Sequence, residues 1–254
     1  MEQLKTELQK ASEELTQEKH KTVDLLESIF PRDVAKKLIH RQPVPARFIN
    51  DVTILFSDIV GFTSICGKCA AMDVVNMLES LFTEFDRKCG QLHLTKIETI
   101  GDAYVVAGGL QNNCGTADDA VKVSLMALRM IDVTESVLSP EGLPLKMRIG
   151  LHTGSVLSGV VGAKMPRYCL FGNNVTVANK MESDSEAGKI NISLTTYSLT
   201  CNHAAFQFIP RPVHVCKRVS RDVLSERRYF LQWRPGHEPP AVKSRRFQKW
   251  LIHS

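Results

Sequence analysis

The feature that most constrains the fold is an alternation of strand-like and helix-like segments between residues 51 and 193. Val52, Ile54 and Phe56 recur at every second position, which indicates a strand. Residues 72–89 place their apolar side chains on one helical face. The further predicted strands are 92–100, 103–108, 145–152, 155–161 and 189–193, and the further predicted helices are 117–138 and 173–185. Strands 145–152 and 155–161 are predicted to be joined through Gly154. The alternation predicts an α+β or mixed α/β fold, without fixing the strand order.

Two aspartates lie where apolar strands break into turns. Asp58 follows the strand that contains Phe56, and Asp102 lies in a tight Gly-Asp turn between two predicted strands. Two such carboxylates, brought together, hold paired divalent ions, and the small residues after Asp58 suit phosphate binding. Those are the minimum requirements for phosphoryl transfer with two metals. The alternative for each aspartate taken alone is a turn or a helix cap.

A third segment, residues 165–175, reads Met-Pro-Arg-Tyr-Cys-Leu-Phe-Gly-Asn-Asn-Val. Together with the two aspartate motifs, it resembles the catalytic domain of the class III nucleotidyl cyclases, and most closely the alpha subunit of soluble guanylate cyclase. The resemblance covers roughly residues 4–209. It implies an α+β, ferredoxin-like fold, with a largely antiparallel sheet, flanking helices and a preceding coiled-coil helix.

The resemblance also implies the roles of individual residues. Two Mg²⁺ or Mn²⁺ ions would be bound by Asp58, Asp102 and the backbone carbonyl of Ile59. The triphosphate of GTP would be bound by Gly61, Phe62, Thr63 and Arg148. A planar guanidinium that is always charged suits terminal phosphates. The alternative for Arg148 is an ion pair with a surface carboxylate.

Glu98 and Cys169 match the two positions that read the purine in guanylyl members of the family. An ionised Glu only accepts hydrogen bonds, so it suits guanine N1–H and the 2-amino group, which adenine does not offer. These residues therefore favour a guanylyl over an adenylyl cyclase. Taken alone, Cys169 would be read as a small buried apolar residue.

The chain departs from a self-sufficient cyclase at two positions. Thr176 stands where the family carries the ribose-orienting Asn, and Lys180 stands where it carries an Arg that neutralises charge on the phosphate. Lys lacks the planar fork of Arg. We therefore expect a catalytic site only with a beta-type partner, while Glu98 and Cys169 face a non-catalytic, pseudo-symmetric pocket. The alternative is a non-catalytic, dimerising or regulatory subunit.

Residues 1–30 are predicted to form one helix with an apolar repeat of alternating steps of four and three, which favours a parallel coiled coil. The alternative is a single amphipathic helix packed on its own domain. A chain that opens partway through such a repeat is typical of a fragment or a truncated isoform. The predicted divisions are 1–46 for the helix and linker, 47–210 for the catalytic domain and 211–254 for a basic segment.

The charge distribution and composition limit the partners and the location. Residues 211–254 carry 11 Lys and Arg against 3 Asp and Glu within a chain of net charge +5. We expect this segment to be solvated and partly disordered, with contact to an anionic membrane or a nucleic acid as the alternative. The start lacks the apolar run of a signal peptide, and no apolar run is long enough to span a membrane. The seven scattered cysteines fit reduced thiols in the cytoplasm, and we expect no haem in this chain.

Overall fold

A computed structural model describes residues 2–110, 116–211 and 227–237. The helices are α1 (Glu2–Ile29), α2 (Arg32–Ile39), α3 (Phe62–Lys68), α4 (Ala71–Gln91), α5 (Thr116–Ser136), α6 (Asn173–Ser183) and α7 (Leu194–Thr200). The strands are β1 (Arg47–Ile59), β2 (Thr95–Ile100), β3 (Ala103–Gly108), β4 (Met147–Val161), β5 (Arg167–Phe171), β6 (Lys189–Ile192), β7 (Phe206–Pro210) and β8 (Tyr229–Trp233). Contacts divide the chain into two compact units, one with residues up to 47 and 158–169, the other with residues 48–157 and those from 170 onward.

The first unit contains α1 and α2. Helix α1 is one continuous helix, as predicted for residues 1–30, and Pro31 precedes the first turn of α2. A proline fits there because the first turn of a helix leaves its N–H groups unpaired. An apolar stripe along α1 is exposed, and it consists of Leu8, Leu15, Leu25 and Ile29.

The second unit is built on a sheet whose strand order is β2-β3-β1-β4-β6-β8-β7, with β5 paired to β4. Strands β1 and β2 each pair antiparallel with β3, and β8 pairs antiparallel with β6 and β7, whereas β4 and β6 are parallel. This confirms the expected α+β fold with a mostly antiparallel sheet. Within the described residues, no helix is both long enough and apolar enough to cross a membrane.

The core lies between the sheet and helices α4 and α5. Phe85 of α4 and Tyr104 of β3 are fully buried, with their rings edge-on and their centroids 5.3 Å apart. Such pairs contribute about 1 kcal/mol beyond burial alone. The Tyr104 hydroxyl donates to Asp86 of α4, and Lys96 of β2 pairs with the same carboxylate at 2.8 Å. These contacts hold the β2–β3 hairpin against α4 and so fix its turn.

The prediction of two strands joined through Gly154 is wrong, because β4 runs unbroken from Met147 to Val161. Gly154 permits close packing instead of a turn. A Cβ added at this residue would lie 2.4 Å from the side chain of Asn174 at the start of α6. A glycine inside a strand often marks such a close approach.

Helix α6 also packs closely on β4 at Gly150. A Cβ at Gly150 would lie 1.9 Å from the backbone nitrogen of Glu182. The neighbouring residues Ile149 and Leu151 point to the other face of the strand and join the main core, as the two-residue period of a strand requires. Asn191 of β6 adds a buried hydrogen bond, donating Nδ2 to the Met181 carbonyl at 2.7 Å.

We expect Gly150→Ala to lower the free energy of unfolding by about 3 kcal/mol or more, because a methyl group would displace the α6 backbone from the sheet. Denaturant unfolding followed by circular dichroism measures the change. Gly90→Ala in α4 is the matched control, since a Cβ there meets no atom within 4 Å. This control should be neutral or slightly stabilising. Equal stabilities for the two variants would contradict the packing.

The structure adds elements that the sequence reading did not contain, namely α3, β5, α7, β7 and β8. Strand β8 lies within the basic segment 211–254, whose expected partial disorder stays a prediction. Residues Tyr229 and Leu231 of β8 are buried, and Leu231 pairs with Ile190 of β6. Sheet pairing therefore outweighs the basic, proline-containing composition of this segment at residues 229–233. The boundaries at 46 and 210 stay predictions.

Candidate active site

The sheet register brings the two predicted metal-binding aspartates together. Ser57 of β1 pairs with Tyr104 of β3. Asp58, near the end of β1, therefore lies beside the β2–β3 turn that carries Asp102. The Ile59 backbone N–H donates to Asp102 Oδ2 at 3.1 Å, and the Ser57 hydroxyl donates to the Tyr104 carbonyl at 2.9 Å. Asp58 and Asp102, distant in the sequence, therefore place their carboxylates at one end of the sheet.

Burial and the neighbouring Asp58 perturb the ionisation of the Asp102 carboxylate. Burial foremost, with the hydrogen bond and the charge of Asp58, raises the pKa of Asp102 to about 6, while the Ile59 N–H acts in the opposite direction. Two negative groups this close favour either a bound proton or a bound cation. No group of three or more His, Cys, Asp or Glu side chains suited to a metal occurs among residues 2–110, 116–211 and 227–237.

Arg148 of β4 lies at the same end of the sheet and bridges two carboxylates. Its Nη2 donates to Asp58 Oδ2, and its Nε donates to Glu182 Oε1 at 3.0 Å. These contacts, the Glu182 hydrogen bond foremost, raise the pKa of the guanidinium above its usual value. The structure therefore places this predicted phosphate ligand directly against a predicted metal ligand.

Glu182 is the residue at this site that the sequence reasoning missed. Its side chain is only 9% exposed, and burial raises its pKa, although Arg148 opposes the rise. Glu182 lies four residues after Ala178 on the buried face of α6. A carboxylate on an apolar helical stripe requires a partner, and that pattern was the available signal.

The predicted phosphate-binding turn follows Asp58 directly. Gly61 has a φ of 77° and precedes the first turn of α3, a left-handed conformation that glycine adopts without steric cost. The N–H groups of Ser64 and Ile65 bond to the Gly61 carbonyl. The N–H groups of Phe62 and Thr63 belong to the first helical turn, where they have no partner within the helix.

The predicted base-reading residues lie on different strands. Glu98 of β2 is half-buried and opposes Val105, just after a shift in register. Its carboxylate forms no hydrogen bond or ion pair with any side chain or backbone group that the structure describes. Cys169 of β5 is half-buried, with Sγ 3.7 Å from the Arg167 carbonyl. Glu98 belongs to the second compact unit and Cys169 to the first.

Helix α6 carries the two degenerate positions. Thr176 is exposed and Lys180 is half-buried, and their spacing of four residues places them on one face. Asn174 anchors the first turn of this helix. Its Nδ2 donates to the Ser155 carbonyl at 2.7 Å, and its Oδ1 lies 3.0 Å from His152 Nε2. The helix is therefore fixed to β4 at both ends, here and at Gly150.

Two family models match this chain. The family model of the adenylate and guanylate cyclase catalytic domain matches residues 44–229. A second model, described as heme NO binding associated, matches residues 1–38. Because the second model is described as heme-associated, the expected absence of haem in this chain stays a prediction.

The similar curated proteins are subunits of soluble guanylate cyclase. The chain is 51% identical over 259 residues to guanylate cyclase soluble subunit alpha-2 of Rattus norvegicus, covering 98% of this chain and 34% of that protein. It is 57% identical over 208 residues to guanylate cyclase soluble subunit alpha-1 of the same species, covering 82% of this chain and 30% of that protein. The chain thus spans about a third of the length of these relatives.

Solved structures of cyclase domains resemble the fold. The guanylate cyclase domain of RhGC from Catenaria anguillulae, in complex with GTP, matches with a TM-score of 0.67 at 32% identity, over 74% of this chain and 99% of that chain. The adenylyl cyclase CyaB from P. aeruginosa matches with a TM-score of 0.67 at 25% identity, over 77% of this chain and all of that chain. By sequence and by fold, the chain belongs to the family of class III adenylate and guanylate cyclase catalytic domains, and it resembles the alpha subunits of soluble guanylate cyclase.

Proposed function

We propose that this chain is a guanylate cyclase subunit that, with a beta-type partner, converts GTP to 3′,5′-cyclic GMP and pyrophosphate. The observation that carries the proposal is the meeting of Asp58 and Asp102 at the end of β1 and the β2–β3 turn. In the reaction the ribose 3′-oxygen loses its proton and bonds to the α-phosphorus. The bond from that phosphorus to the bridging oxygen breaks, and pyrophosphate leaves.

The residues at this end of the sheet fit two divalent ions. Burial and the close approach of Asp58 raise the pKa of Asp102, and a cation between the two carboxylates would relieve their repulsion. Their oxygens, with the Ile59 carbonyl, are the hard ligands that Mg²⁺ and Mn²⁺ prefer. When bound, such ions would activate the 3′-hydroxyl and stabilise the charge on the departing pyrophosphate.

The residues around the aspartates are suited to hold the triphosphate. The N–H groups at Gly61, Phe62 and Thr63 open a helix and can donate to phosphate oxygens. Arg148 can present a fork of N–H donors from its position beside Asp58. The Ile59 N–H holds the Asp102 carboxylate in one orientation, so that little has to rearrange when the ligand binds.

The partner would supply what α6 of this chain lacks. Thr176 and Lys180 cannot reproduce the Asn and Arg contacts that the family uses in the transition state. A beta-type subunit would supply those contacts and the base-reading residues. In this arrangement neither Glu98 nor Cys169 of this chain contributes to the catalytic pocket.

The exposed stripe of α1 supports pairing through a second surface. Leu8 and Leu15 are each 72% exposed although large apolar side chains favour burial. A parallel helix of the partner, packing in a coiled coil, would cover them. We further propose that the subunit acts in the cytoplasm, because the described cysteines are all free thiols.

One experiment separates this function from its alternatives. The chain is mixed with a beta-type cyclase domain, Mn²⁺ and either GTP or ATP, and the cyclic nucleotide is quantified. We expect cyclic GMP from the mixture and little from this chain alone. Cyclic AMP as the main product would instead identify an adenylyl cyclase.

The second candidate function is a non-catalytic, dimerising subunit. The Thr176 and Lys180 replacements favour it, since they remove two groups that a complete cyclase site contains. This alternative predicts that the mixture yields no more cyclic GMP than the beta-type domain yields by itself. That outcome would overturn the proposal.

We expect the affinity of the chain for Mn²⁺ to fall as the pH drops through about 6, the raised pKa of Asp102. The sign follows because protons compete with the cation for the ionised carboxylate. At pH 5 the expected loss is about tenfold relative to pH 7.5. Electron paramagnetic resonance of free Mn²⁺ measures the binding. Asp102→Asn should remove this pH dependence, and an equal dependence in the variant would contradict the assignment.

A further inference from the structure

Arg148 contacts two carboxylates whose surroundings differ. Asp58 is 26% exposed and is the proposed metal ligand, whereas Glu182 is 9% exposed and lies on α6. Different nitrogens of the guanidinium make the two contacts, Nη2 to Asp58 and Nε to Glu182. One contact can therefore break while the other persists.

The Glu182 contact is the fixed one. The Glu182 backbone is pressed against β4 at Gly150, two residues along the strand from Arg148. Its second oxygen, Oε2, accepts from the Ser183 hydroxyl at 3.2 Å, which further restrains the carboxylate. A buried carboxylate with a raised pKa and one cationic partner holds that partner strongly, because losing it would leave a buried charge unpaired.

The Asp58 contact is the exchangeable one. Three acidic groups, Asp58, Asp102 and Glu182, share this region with the one guanidinium that bridges two of them. The Arg148 guanidinium neutralises the Asp58 carboxylate as a divalent ion would. The guanidinium and the ion therefore compete for this carboxylate. Phosphate oxygens are strong acceptors for the same fork of donors.

We infer that Arg148 is an internal counter-ion of Asp58, which must leave this carboxylate before Asp58 can hold a divalent ion. Glu182 is the positioning residue that keeps Arg148 at the site once it has moved. A triphosphate would draw the guanidinium away from Asp58, so nucleotide and cation favour each other's binding. This inference rests on the proposed function, in which Asp58 is a metal ligand.

The test compares direct Mn²⁺ binding by the full chain without nucleotide, followed by electron paramagnetic resonance. The double variant Arg148→Met/Glu182→Gln removes the counter-ion and its buried partner together, so that no buried charge is left unpaired. We expect it to bind Mn²⁺ about tenfold more tightly than the unaltered chain, within the usual range of coupling between sites.

A matched control is the exposed pair on α4. Arg87 Nη2 lies 2.6 Å from Glu84 Oε2, and Arg87→Met/Glu84→Gln, like the Arg148 double variant, leaves the net charge of the chain unchanged. Mn²⁺ binding by this variant should equal that of the unaltered chain. A rise equal to that of the Arg148 variant would overturn the inference, since the effect would then not depend on the ion pair beside Asp58.

Glu182→Gln alone gives a test with the opposite sign. Gln retains the size and an acceptor oxygen, and it leaves Arg148 with Asp58 as its remaining anionic partner. We expect Mn²⁺ binding to weaken severalfold. Structural damage would shift both variants in the same direction, and that result would contradict the inference.

Asp58→Asn distinguishes failure of the inference from failure of the proposed function. Asp58→Asn could abolish Mn²⁺ binding while the unaltered chain and the double variant bind Mn²⁺ equally well. That result would overturn the counter-ion role of Arg148 but retain the metal site. Binding that Asp58→Asn does not change in either background would show that Asp58 holds no cation. Both proposals would then fall.

Discussion

Replacing Asp102 with Asn in this chain is expected to lower cyclic GMP formation by the mixed pair on the order of several hundredfold. Asn keeps the shape of the side chain and can still accept the Ile59 N–H bond that Asp102 accepts at 3.1 Å. It removes one of the two charges that would hold the ions, and electrostatic groups of this kind contribute about 3–4 kcal/mol each to transition-state stabilisation. Turnover of GTP with Mn²⁺ and a beta-type domain provides the measurement.

Glu98→Ala is the informative companion of this variant. Glu98 is half-buried on β2, in the hairpin that also presents Asp102, but by the proposed geometry it faces the non-catalytic pocket. Turnover should therefore remain largely intact. If Glu98→Ala were as inactive as Asp102→Asn, the assignment of the two pockets would be reversed.

Restoring the two degenerate positions is expected to make this chain active by itself. The variant Thr176→Asn/Lys180→Arg would combine, in a homodimer, the aspartates of one copy with a complete α6 and base-reading pair of the other. Each restored contact is worth about 3 kcal/mol in comparable systems. We therefore expect cyclic GMP formation by the variant alone to rise at least about a hundredfold over the unaltered chain.

The same two substitutions in a chain that also carries Asp58→Asn serve as the control. That triple variant should stay inactive, because the ion-binding pair would be missing from both sites of the homodimer. A purified double variant that turns over GTP no faster than the unaltered chain would show that residues beyond α6 limit the activity. Analytical ultracentrifugation should accompany the assay, since the expectation depends on self-association.

Local periodicity accounts for most of the secondary structure that the sequence predicts. Helices α4, α5 and α6 and strands β3 and β6 lie within a few residues of their predicted bounds, because their apolar spacing is set within each segment. Gly154 was misread as a turn because its role depends on Asn174, which lies 20 residues away in the sequence. Strand β8 was missed because its stability comes from pairing with β6 and β7.

The candidate site divides in the same way. The family resemblance implies that Asp58 and Asp102 meet at one metal site, and the antiparallel register places them together. The contact of Arg148 with Glu182 joins residues 34 positions apart through the packing of α6 on β4. Neither residue type nor spacing contains that information, because the contact depends on the absence of a side chain at Gly150.

The close packing of α6 against two glycines of β4 has a mechanical consequence. Gly150 and Gly154 leave no clearance between helix and strand, and Asn174 and Glu182 tie the two ends. The helix cannot slide or roll without dragging the strand, so the two elements must travel as one stiff body. A force applied anywhere along β4 would therefore tilt Arg148 and the face bearing Thr176 and Lys180 in concert.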